Sequence, residues 1–302
     1  MISRFSSALF LIASLMLGAT QAYAQRLQQV FKTPEAAMEQ FGNAVKTKDL
    51  DALTLMLGAD YKEIIPEPTQ EDYQRFVAAW DRAHALIMEG SDLAHISVGT
   101  KGWTLPIPLA KHSMGWFFDM DRADDEIDAR QIGANELSTI KAMLAYGDAQ
   151  REYQAADRMG DGVLQYAQKL QSTPGTKDGL YWPTNANEPR SPIGEYFAQS
   201  KSIDGLDRRG FHGYQYRILT AQGPAAKGGA KSYVQQRHMT EGFALIAWPV
   251  EYGETGVMSF IVNQDGIVYQ KNLGPQTHSV ANHTHRFNPD NTWTQVSEED
   301  LK

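Results

Sequence analysis

Between Asn135 and Tyr153 apolar residues recur at helical spacing on two adjoining stripes, Leu137, Ile140 and Leu144 on one and Met143, Tyr146 and Tyr153 on the other. A helix with so wide an apolar face must be covered by something large. The chain supplies a cover further on. Tyr214, Tyr216 and Ile218 alternate with Gln215, Arg217 and Leu219, and Phe243, Leu245 and Ala247 alternate with Ala244, Ile246 and Trp248. The runs Val257 to Val262 and Ile267 to Gln270 follow, separated by Asn263-Gln264-Asp265-Gly266, where Gly266 suits the left-handed position of a hairpin loop. The pattern predicts three or four antiparallel strands against one helix capped by Asn135. The 302 residues include no cysteine, so packing rather than disulfides must hold the fold.

The first half predicts a different arrangement. Thr33-Pro34-Glu35 opens a helix with Met38, Phe41 and Val45 on one face. Asp49 caps a second helix carrying Leu50, Leu53 and Leu57, which Gly58 ends. Thr69 opens a third, with Tyr73, Phe76, Val77, Trp80, His84 and Ile87 along one side, where His84 reads as a packed, hydrogen-bonded imidazole. Three apolar segments, Leu93 to Val98, Trp103 to Leu109 and Gly115 to Met120, read as strands of a small sheet. The fold class expected is α+β throughout.

Residues 1–24 have the form of an export signal. Arg4 is the basic n-region, Ala8 to Gly18 an apolar run too short to span a bilayer, and Ala22-Tyr23-Ala24 a small-x-small cleavage site. Cleavage before Gln25 leaves 278 residues, enough for two domains. The expected division is 1–24 signal peptide, 25–128 N-terminal α+β domain, 129–290 helix-on-sheet domain and 291–302 polar tail. With 28 Lys and Arg against 36 Asp and Glu, the net charge is −8, and no basic cluster is present to neutralise phosphates. Nucleic acid is therefore not an expected partner. The expected compartment is the periplasm or the exterior, with no transmembrane anchor after signal removal.

Two resemblances bear on these readings. The stretch Phe41 to Leu57 loosely resembles the opening of the cystatin-like, nuclear-transport-factor-like fold, which implies a curved sheet behind two helices. The blocks Asn135 to Tyr153, Asp178 to Pro183, Gly213 to Gly223, Gly242 to Pro249 and Tyr252 to Gly274 are similar to the exported bacterial family catalogued as domain of unknown function 2950. More distantly, the second half resembles the globular domain of type IV pilins and pseudopilins, whose helix also carries an alanine-glutamine-x-x-tyrosine segment, here Ala149 to Tyr153. That likeness implies a helix-on-sheet shape and no activity.

Candidate chemistry is scattered. His278, His283 and His285 have a spacing that could gather imidazoles about a metal, although the segment reads as a solvated loop. Asp157 and Asp161, followed by Gly162, resemble half of a calcium loop, but Gln168 stands where a closing carboxylate belongs and a helix-terminating turn fits better. Arg208 and Arg209 could clamp an anion while His212 moves a proton, with Asp207 beside them; the alternative is a polar loop entering a strand. Tyr181 and Trp182, inside the Pro- and Gly-rich stretch from Ala156 to Gly210, are candidates for ligand stacking or for docking that stretch onto the body. Asp119, Asp121, Asp124 and Asp125 read as the acidic start of a short helix, and Gly223 to Gly229 as a strand connection. No G-x-S-x-G occurs.

No set of base, orienter and charge stabiliser emerges at defined spacing, and no cofactor is implied. The expected function is therefore a non-enzymatic, exported or envelope-associated binding protein whose partner is an envelope protein or small ligand. The alternative is a small-molecule hydrolase or other enzyme built on the Arg208-Arg209-His212 loop.

Overall fold

Thr33 starts the first helix, α1 (Pro34–Thr47), as its hydroxyl accepts the Ala36 N–H and Pro34 supplies a preset φ at the first position. The computed structural model describes residues 28–65, 67–185, 187–199 and 210–297, so the signal segment lies outside the described residues. Asp49 caps α2 (Leu50–Leu57) by accepting the Ala52 N–H, and a single turn, α3 (Tyr61–Ile64), follows. At α4 (Gln70–Arg82) the Thr69 hydroxyl accepts from the Asp72 N–H and donates to its carboxylate.

The third helix is shorter than its apolar stripe predicts. It stops at Arg82, and His84 opens a strand, β1 (His84–Glu89). Ala83 to Glu89 suits either state locally, and a six-residue ladder to β2 (Leu93–Val98) across Gly90 decides for the strand. His84 is exposed rather than packed in a helical seam; its Nδ1 meets the Trp80 carbonyl at 2.9 Å and its ring stacks on Trp80.

The segment from Trp103 also differs from expectation. Only Thr104 bridges to β2, and regular pairing resumes at β3 (Leu109–His112) and β4 (Gly115–Phe118). Pro106 and Pro108 have no N–H to give a ladder, which delays the strand. The four strands are antiparallel in the order β1-β2-β3-β4. Phe41, Met56, Trp80, Ile96, Leu109 and Phe118 form the core beneath the helices. At Gly42 an added Cβ would lie 2.3 Å from the Trp80 ring, so α1 and Trp80 meet with no side chain between them.

Asp119 caps the long helix α5 (Met120–Gln154) by accepting the Arg122 N–H. Its start is fifteen residues before Asn135, the predicted cap. The preceding turns are largely exposed and mostly polar, with Met120 and Ala123 on the core of the first unit, so the sequence reads them as a separate short helix from the acidic run at Asp119, and nothing but Gly133 interrupts them. Asn135 donates instead to the Thr255 carbonyl. The contacts of the chain divide it into two compact units at Asp128/Ala129, within this helix.

In the second unit, β5 (Tyr214–Leu219) is followed by two small hairpins, β6 (Ala221–Gln222) with β7 (Lys231–Ser232) and β8 (Val234–Gln235) with β9 (His238–Met239). The main sheet adds β10 (Ala244–Pro249), β11 (Met258–Asn263), β12 (Tyr269–Asn272) and a two-residue edge, β13 (Thr294–Gln295). Its order is β13-β12-β11-β10-β5, all antiparallel, one strand more than expected. Gly266 takes φ +75° in the β11–β12 loop, as its position predicts.

Adjacent residues of β5 show what covers each face. Tyr216 hydrogen-bonds Thr139 of α5, whereas Arg217 donates to the carbonyls of Ala281, Asn282 and Thr284 at the end of α7 (Thr277–His283). Successive strand residues point to opposite faces, so α5 and α7 lie on opposite sides of the sheet. All six residues of β10 are accordingly buried. Another short helix, α6 (Glu195–Gln199), buries Phe197, whose ring meets Tyr216 edge to face.

Burial of this unit reaches five tyrosines. It pushes the phenols of Tyr146, Tyr214 and Tyr216 far up, and those of Tyr153 and Tyr233 to about 12. An unfolded tyrosine ionises near pH ~10, so the stability these groups provide is intact below that value and is lost as pH climbs towards the folded values. The unfolding midpoint in denaturant is expected to be flat from neutrality to about pH 9.5 and to fall steeply above about pH 10. Tyr216→Phe should make that fall shallower, as read by circular dichroism.

Candidate functional site

The first unit holds an open cleft of about 680 Å³ walled by α1, α4, Ile65, Pro68 and the segment after β2. The helical repeat aligns Asp72, Arg75, Phe76, Ala79 and Arg82 along one side of α4, and all five line the cleft. Phe41 and Val45 come from α1, and Val98 to Lys101 with Trp103 close the far wall. Phe76 holds the apolar floor together, meeting Phe41 and Trp103 edge to face. Trp103 stays 45% exposed at the margin.

Charge is confined to the rim. Asp72 is engaged by the Thr69 hydroxyl and the Arg75 guanidinium, which hold its carboxyl below the usual range. Arg82 and Lys101 are exposed and form no ion pair among the described residues. The Gly99 N–H donates to the Ala83 carbonyl at 2.8 Å, which draws the neighbours of these two cations to one end of the cleft. Lys48, by contrast, rests 4.4 Å above the Tyr73 ring. The described lining includes no histidine or serine. Such a site can enclose an apolar body and offer cations to its polar end.

The candidates read from sequence that fall among the described residues lie elsewhere and apart. Asp207, Arg208 and Arg209 lie outside the described residues. His212 and Gly213 both take positive φ, +53° and +71°, between the reciprocal backbone bonds of Phe211 and Tyr214. That is a two-residue hairpin turn of the I′ kind, which explains the residue pair without a ligand. Trp182 is only 5% exposed; its ring meets Tyr153 edge to face and lies under Arg158 and Lys177. Tyr181 is half-buried and packs on the core of the second unit, while its backbone pairs within the stretch with Leu170 and Ser172.

His278 and His283 lie on α7, where a loop was expected. Each makes a local contact four residues along, to Asn282 and to the Ser279 carbonyl, and His285 follows the helix. Ala281 and the polar Thr277 are the buried residues of this helix, which packs on β10. Asp157 accepts the N–H groups of Met159, Gly160, Asp161 and Gly162, which hold it below the usual carboxylate range. Asp161 accepts from the Val163 N–H and sits 3.6 Å from His238. Among the described residues no three His, Cys, Asp or Glu side chains gather as a metal site.

The family model described as "Protein of unknown function (DUF2950)" matches residues 28–296. The chain belongs to that family. No curated protein and no solved structure matches it. Among the described residues no helix is long and apolar enough to cross a membrane.

Sequence reasoning missed the cleft because it assigned the whole Tyr73 to Trp80 stripe to the core. Trp80 and Phe41 are core, but Tyr73 and Phe76 are only half-buried. The available signal was a stripe wider than one small sheet can cover, with Trp103 after a glycine. Because backbone N–H groups already occupy the Asp157 oxygens, millimolar calcium is expected to leave the melting temperature unchanged. A rise of several degrees in a calorimetric scan would contradict this account of the turn.

Proposed function

We propose that this family member is an exported, non-enzymatic binding protein whose first unit takes up a small, mainly apolar ligand. The observation that carries the reading is the cleft of about 680 Å³, which has an aromatic floor and a charged rim. Its size falls in the range of small-molecule sites, roughly 300–1,000 Å³. The rim acid, Asp72, is committed to Thr69 and Arg75, and the described lining offers no paired base and nucleophile. Export is supported by the basic, apolar and small-residue order of residues 1–24. The order of one long helix followed by an antiparallel sheet supports a pilin-like shape for the second unit and carries no function of its own.

Intact-mass measurement of the protein from the periplasm or medium of a bacterial host should give a chain beginning at Gln25. A chain retaining Met1 in the membrane would refute removal of the signal, and one retaining Met1 in the cytoplasm would refute export.

Binding is tested with an environment-sensitive apolar fluorophore. One saturable site is expected. Trp103→Ala should weaken it about fivefold, since a half-exposed indole contributes on the order of 1 kcal/mol on burial, and His212→Ala should leave it unchanged. Binding untouched by Trp103→Ala would exclude the cleft.

A further inference from the structure

We infer that the cleft selects a single-chain amphipathic carboxylate, a fatty-acid-like anion, with its headgroup between Arg82 and Lys101. This rests on the cleft being a binding site. Residues 28–128 carry nine Lys and Arg against eighteen Asp and Glu, a strongly acidic unit. Three of those nine cations nevertheless line the one cleft, together with a single acid. That acid is consumed by Arg75 and Thr69.

Two cations therefore remain. Arg82 stands in the last turn of α4, where the helix dipole alone favours a positive charge. Lys101 has no such reason: it is exposed on the loop after β2, at the end of the cleft where Gly99 bonds Ala83. A guanidinium and an ammonium at one mouth of an apolar trough match a carboxylate whose tail enters the trough. The volume bounds the tail. At about 30 Å³ per water in the liquid, the space equals some twenty waters, and since a methylene fills nearly as much room as a water, it takes one chain of up to about twenty carbons and not the two full chains of a membrane lipid.

The test is calorimetric titration of the full mature chain with dodecanoate, dodecanol, dodecyl phosphate and decanoate, each below its micelle concentration. Dodecanoate should bind about tenfold more tightly than dodecanol, and the R82Q/K101Q double variant should abolish that difference while leaving dodecanol unchanged. Decanoate should bind about tenfold more weakly than dodecanoate, for two methylenes. Both substituted residues are exposed, and equal melting temperatures establish that the variant is folded.

Equal binding of dodecanol and dodecanoate would overturn the anion assignment and leave the apolar site standing. Tighter binding of dodecyl phosphate would overturn the carboxylate, and a preference that survives R82Q/K101Q would overturn the two residues named. If none of the four binds, both the ligand class and the binding site fall.

Discussion

The second unit depends on hydrogen bonds made where water cannot reach. Tyr146, Gln150 and Thr139 of α5 are fully buried, and a polar group so placed is costly unless it is paired. Each finds a fixed partner. The Tyr146 hydroxyl donates to the Ala244 carbonyl, Gln150 both donates to and accepts from the Ala167 backbone, and Thr139 meets Tyr216. Nearer the helix start, Glu136 accepts the N–H groups of Val257 and Met258. These bonds tie one helix to four separate segments, and they fix its rotation and axial position as apolar contact alone does not.

The same requirement shapes the long stretch after α5. Its backbone cannot be buried without partners, and it borrows them from itself and from the helix: Leu180 and Tyr181 bond Lys169 and Leu170, and the Tyr153 hydroxyl donates to Lys177. At its centre burial opposes ionisation of Asp178, but hydrogen bonds from Lys169, the Thr173 N–H and the Thr176 and Thr173 hydroxyls outweigh it. The part from Lys169 to Tyr181 is thereby held in place without a regular strand or helix of its own.

What was legible in the sequence was periodicity under a single solvent condition. Strands 214–219, 244–249 and 258–263 stand within a residue or two of their alternating patterns, and Thr33, Asp49 and Thr69 cap as their side chains dictate. The failures are cases where a distant partner decided. Residues 84–89 became a strand because β2 was there to pair with them, and the segment from Asp119, expected as a short helix of its own, runs without a break into α5. The cleft was hidden for a related reason, since a residue lining a cavity and a residue filling a core obey the same spacing. Tyr73 and Trp80 share a helix face, yet one borders the cleft and the other is covered.

Gly42 is where this distinction is set. Trp80 approaches α1 so closely that no carbon substituent fits at position 42, and Trp80 in turn backs Phe41 and Phe76, which floor the cleft. A methyl group at 42 could be housed only if the indole gave way, and the rings it backs are the ones that floor the cleft, so the shape of the site answers to a position that never touches its occupant.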